Sequence, residues 1–115
     1  MTGEHLKIDK KKIATIVKSE DAENRIVRIV LEDEALVVEY ISSWNEQKDL
    51  RGSVTKSAGM IVDYYRDGSK EIGGLILKCS DETMTAQATC LLSKDDISRW
   101  INFDFSLDEL ASRIQ

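Results

Sequence analysis

Proline is absent from this 115-residue chain, histidine occurs once, cysteine twice, and aromatic residues make up only 6%. The missing proline excludes no chemistry, but the other shortages do. Two cysteines and one histidine cannot fill a tetrahedral zinc site unless carboxylates join them, and two cysteines cannot build a disulfide framework. No uncharged apolar run approaches the roughly eighteen residues needed to span a bilayer, so no membrane association is expected. Basic side chains are also in deficit: 16 Lys+Arg stand against 21 Asp+Glu, a net charge of −5. A sequence-independent grip on nucleic acid depends on clustered Lys and Arg, so no nucleic-acid partner is expected. The few aromatics also lack the interleaved cations of a base-stacking surface.

What is present points to a single globular domain over residues 1–115, with residues 1–11 frayed at its start. Hydrophobic residues make up 42% of the chain, enough for a packed core. A cytoplasmic location is expected, since Lys10–Lys12 followed by Ile13–Val17 is too short for the apolar core of a secretory leader and lacks a small-residue cleavage site. The charge is unevenly placed. Residues 1–57 hold 10 basic and 11 acidic side chains, whereas residues 58–115 hold 6 and 10. Carboxylates gather at helix starts, where the dipole favours them, and an acidic face can also meet a basic partner.

Local patterns predict an α+β fold: an antiparallel meander of about five to six strands with two short C-terminal amphipathic helices packed on it. Over residues 93–115, Ser93 with Asp96, and Ser106 with Glu109, have the spacing of capping boxes. Ile97, Trp100 and Ile101, then Leu107, Leu110, Ala111 and Ile114, supply the apolar stripes. Upstream the period changes to two. Met84 to Leu92 reads as a half-buried strand, Gly74–Leu77 as a central one, Gly59–Arg66 as a third, and Ile13–Val17 as a fourth. Ser42–Ser57 reads as a polar loop around Gly52. Residues 21–45 leave two readings open, one long helix or a hairpin turning at Glu32–Glu34. The abundance of Ile and Val favours the hairpin.

No catalytic constellation emerges, and no cofactor or metal is expected. His5 has no orienting partner nearby. With a turn at Glu82–Thr83, Cys79 and Cys90 fall four residues apart on one face, about 13 Å at roughly 3.3 Å per residue and beyond disulfide reach. Both are expected to be buried thiols. The carboxylate pairs and runs lack the alternating ligands and glycine of a calcium loop, and Gly73-Gly74 lacks the rest of a phosphate cradle.

Residues 31–80 resemble the YuzE-like family of small bacterial proteins. The matching segments are Glu34-Ala35-Leu36-Val37-Val38, Gly59 to Gly68, and Gly73-Gly74-Leu75-Ile76-Leu77. Leu75 and Tyr65 depart from the family pattern, which favours acidic residues there. The resemblance implies a hairpin over 25–41 and no catalytic residues. It also implies a binding role, since some of these proteins look like members of toxin–antitoxin-type pairs.

The expectation is therefore a small non-enzymatic protein-binding module, antitoxin-, immunity- or accessory-like, that meets a basic partner through an acidic C-terminal surface. Its candidate contact residues are Trp44, Tyr64, Asp95, Asp96, Asp104 and Asp108. Two alternatives accompany it. One is a small-molecule pocket between sheet and helices. The other is a symmetric homodimer formed through a sheet edge or an apolar strand face.

Overall fold

The computed structural model describes residues 9–68 and 72–115, so His5 lies outside the described residues. The elements run α1 (Lys10–Glu20), β1 (Arg25–Glu32), β2 (Ala35–Ile41), α2 (Gln47–Asp67), β3 (Gly74–Ser80), β4 (Gln87–Ser93), α3 (Lys94–Ile101) and α4 (Leu107–Ser112). The class is α+β, as expected. The sheet has four strands in the order β1-β2-β3-β4. The two hairpins β1–β2 and β3–β4 are antiparallel, but β2 and β3 run parallel. Parallel neighbours need a crossover connection, and α2 is that crossover. The meander is thus corrected to two hairpins joined through a helix.

The strand count fell because two expected strands are helical. Ile13–Val17 lies in α1, whose N-cap Asp9 accepts the Lys12 amide at 3.0 Å. Ile13 and Val17, one turn apart, are its buried residues. Gly59–Arg66 and much of the expected Ser42–Ser57 loop belong to α2. Along it Leu50, Val54, Ala58, Ile61, Val62 and Tyr65 are buried at three- and four-residue spacing. Isoleucine, valine and tyrosine favour strands because they suit a half-buried pleated surface; the same residues on a helical period fill a helix–sheet interface equally well. Tyr65 is buried, Tyr64 is half-buried, and their rings meet edge to face at 5.3 Å.

The hairpin reading of residues 25–41 holds. Arg25–Glu32 and Ala35–Ile41 flank a two-residue turn at Asp33 (φ 50°) and Glu34 (φ 70°). Two positive φ values in succession match the twist of the strands they join. The second hairpin turns through Asp81–Ala86, a longer connection than expected. Asp81 organises it by accepting the Thr85 and Ala86 amides and the Thr83 and Thr85 hydroxyls.

That longer turn moves the register. Cys79 pairs with Ala88 and Leu77 with Cys90, so the cysteines are two residues out of register rather than four. Diagonal neighbours of this kind stand about 7–8 Å apart, still too far for a disulfide. Both thiols are free and buried.

The core lies between the sheet and the helices. Leu36, Val38 and Tyr40 of β2, with Leu75, Leu77 and Cys79 of β3, point into it and are at most 1% exposed. From the other side, α2 supplies the stripe described above. The C-terminal helices form as expected, each with a complete capping box. Beyond α4 the chain returns to the sheet. The Thr89 and Gln115 amides each donate to the other residue's carbonyl, and the Leu91 amide donates to the Arg113 carbonyl. This tail covers the outer edge of β4.

Candidate protein-binding groove

The helical layer carries a groove of about 620 Å³ where the end of α1, the middle of α2, and α3–α4 converge. Its α2 wall comprises Thr55 and, one turn after another, Lys56, Gly59, Met60 and Asp63. The last four positions follow the i, i+3, i+4, i+7 spacing of one helical stripe, adjacent to the stripe that packs on the sheet. Trp100 of α3 and Leu107 and Leu110 of α4 form the opposite apolar wall. Glu20 closes the α1 end.

Two polar links hold the groove's frame. The Trp100 indole donates to the Asp63 carboxylate at 2.8 Å, joining α3 to α2. At the other end, Ser53 donates to the Glu20 carboxylate and is also bonded to the Tyr40 hydroxyl at 2.6 Å. Asn24 donates to Glu20 and to the Val17 carbonyl as well. Glu20 is therefore oriented at the rim by neutral donors. Burial pushes the Tyr40 hydroxyl far above its ordinary range, so it stays protonated at neutral pH.

Leu107 is 70% exposed on the wall of this groove, although leucine is among the residues that most favour burial. Phe103, 81% exposed, sits nearby in sequence under the Arg66 guanidinium at 4.9 Å. Trp100 packs against Phe105 with ring centroids 5.9 Å apart.

The six candidate contact residues do not converge on one site. Trp44 is 49% exposed, just before α2, and its amide donates to Ser42. Tyr64 lies near the other end of α2, about 25 Å along the axis from its start at 1.5 Å per residue. Asp95, Asp104 and Asp108 are exposed. Asp96 is only 7% exposed: it completes the α3 capping box and accepts both Nε and Nη2 of Arg113 at 3.0 Å. These bonds from Arg113 outweigh burial and hold the Asp96 carboxyl below the usual range. Arg99 similarly lies 2.8 Å from Glu109 and 3.7 Å from Asp104. Much of the C-terminal acidity is thus matched within the chain, while Asp108, next to Leu107 in the first turn of α4, is exposed.

Met60 and Asp63 are not legible as groove residues from the sequence because the β-favouring residues at 59–66 suggest a strand, whereas Trp100 lies on the expected stripe of α3. The helical stripe Lys56-Gly59-Met60-Asp63 was the available signal. The thiols offer little chemistry, since burial pushes Cys79 up to about 11 and Cys90 to about 12. Among the described residues no cluster of three or more His, Cys, Asp or Glu is placed to hold a metal, and no helix is long and apolar enough to cross a membrane.

The sheet's second face has a different character. Val30, Val37, Ile76 and Leu91 stand side by side across all four strands. Next to that row runs Arg28, Glu39, Lys78 and Thr89, in which Arg28 pairs with Glu39 at 3.3 Å. No protein-family model matches this chain, and no curated protein or solved structure matches it significantly.

Proposed function

We propose that this protein is a non-enzymatic binding module whose helical groove takes a segment of another protein that carries an apolar anchor beside a Lys or Arg. The observation that carries the reading is Leu107, largely exposed on the wall of an apolar groove whose rim carries Glu20 and Asp63 against Lys56. An amphipathic helix laid into such a groove buries its apolar face while its cations meet the rim. A chain of net charge −5 attracts a basic segment at long range, and exposed Asp95 and Asp108 are part of that charge.

The test is selection from a peptide display library, followed by titration of the selected peptides against a Trp44→Phe variant, in which Trp100 is the remaining tryptophan, by fluorescence. Selected sequences are expected to pair an aliphatic or aromatic anchor with a basic residue. Their binding should weaken at least tenfold in Leu107→Asp and weaken further with salt. Acidic selected peptides, or binding indifferent to both Leu107→Asp and Met60→Glu, would remove the groove from consideration.

A further inference from the structure

The four-stranded sheet has two edges, and they are treated differently. The outer edge of β4 is occupied by the chain's own residues 113–115. The outer edge of β1 has no strand beside it among the described residues. Natural edge strands are usually blunted with charges, above all lysine, with proline, bulges or extreme shortness. β1 has a bulge only near its start, between Ile26 and Arg28, and its regular stretch from Arg28 to Glu32 has neither lysine nor proline. β1 has eight residues, Arg-Ile-Val-Arg-Ile-Val-Leu-Glu, five of them aliphatic, and Val27 is 55% exposed.

We propose that β1 pairs antiparallel with β1 of a second copy of this chain, with Val30 opposite Val30 at the two-fold axis, so that the two sheets become one. This rests on the edge of the sheet and not on the helical groove.

The register follows from the turn. A two-residue turn with positive φ at Asp33 and Glu34 makes Glu32 and Ala35 a hydrogen-bonded pair. Backbone groups alternate along a strand, so Glu32, Val30 and Arg28 bond inward to β2, while Leu31 and Ile29 present their N–H and C=O outward. A second β1 can bond only by setting outward residues against outward residues. The arrangement with Ile29 opposite the second copy's Leu31 does so twice, by symmetry. Arg28 already pairs with Glu32 of its own strand and with Glu39. This register also sets Arg28 opposite the second copy's Glu32, and Glu32 opposite its Arg28, so that the two intrachain pairs join into one cluster of alternating charge. Sliding by two residues either way retains the backbone bonds but sets charge against aliphatic: Arg28 meets Val30, or Val30 meets Glu32. Only one register matches along its length.

The same register satisfies both faces. On the open face Val30 extends the Val37–Ile76–Leu91 row directly into its copy in the second chain. On the helical face, Ile29 and Leu31 meet beside a groove of about 480 Å³ between α1 and β1, walled by Ala14 and Ile26 and rimmed by Lys10 and Lys11. The second copy's turn, Asp33 and Glu34, then arrives opposite Val27 and Ile26, bringing two exposed carboxylates to those two lysines. The irregularity between Ile26 and Arg28 ends the regular ladder at Arg28. With β4 covered, each chain offers one edge, and assembly closes at two rather than growing into a fibre.

The test uses Arg28→Glu and Glu32→Arg, separately and mixed, by sedimentation of the full chain over a wide concentration range. The native chain is expected to dimerise, and each variant alone should remain monomeric because its own like charges then face each other. An equimolar mixture should recover a one-to-one heterodimer, since every pair is again opposite in sign; a purely intrachain effect of either substitution would not be rescued this way. Val30→Cys should cross-link between chains on mild oxidation, as a non-hydrogen-bonded pair brings Cα atoms to about 4.5 Å, whereas Val27→Cys should not. A native chain monomeric at every concentration would overturn the proposal. So would a dimer that survives both charge substitutions, or the absence of heterodimer in the mixture.

Discussion

Asp96→Asn isolates one interaction with a defined magnitude. Asparagine keeps the size of the side chain and can still accept the Ser93 amide, but it loses the charge that Arg113 meets with two nitrogens at 3.0 Å. Hydrogen bonds to charged groups contribute about 1.5–3 kcal/mol. Breaking a fully buried ion pair costs more, but the Arg113 side chain is 34% exposed and water can solvate it once freed. An expected loss of about 2 kcal/mol follows from that range. For a chain of this length the unfolding entropy, at about 2.1 cal/mol/K per residue, converts it to a fall in Tm of about 8 °C. The pH dependence has a definite sign. The Asp96 pKa is lowered in the folded state, so its contribution is complete above the unfolded value of about 3.9 and is lost as pH falls through the folded value. The gap between native and variant should be full at pH 7 and close under acid. Because Arg113 anchors the tail on β4, the Thr89 and Leu91 amides, which bond to Gln115 and Arg113, should also exchange faster. Equal melting temperatures at pH 7, or a gap that persists in strong acid, would refute the assignment of Asp96 to the fold.

Gly52 sits inside α2, and an added Cβ would meet nothing within 4 Å. Gly52→Ala should therefore stabilise the protein by about 0.5–1 kcal/mol in chemical denaturation, through helix propensity alone. With their pKa values raised to about 11 and about 12 by burial, Cys79 and Cys90 should resist a thiol reagent at pH 8 in the native protein. Both should react promptly in denaturant. Fast native labelling of either would contradict the packing described.

The chain by itself determined the features whose causes lie within a few residues. The two capping boxes were legible because Ser93 with Asp96, and Ser106 with Glu109, settle the helix starts locally. The β1–β2 hairpin was legible from two aliphatic runs around Glu32-Asp33-Glu34, and the central strand from Gly74-Leu75-Ile76-Leu77. Of the candidate contact residues, Asp95, Asp104, Asp108 and Trp44 are exposed, whereas Asp96 closes on Arg113. Tertiary structure alone decided whether 13–17 and 59–66 would be strand or helix, since β-branched residues satisfy either when a buried partner surface is supplied. It also decided that β2 and β3 lie parallel, because that pairing depends on α2 crossing the sheet. The groove follows from the same cause. Asp63 meets Trp100, and Glu20 meets Ser53, across separations that local propensity does not reach. The closure of the β4 edge by residues 113–115, which leaves β1 as the open edge, is likewise a consequence of where the fold returns the chain.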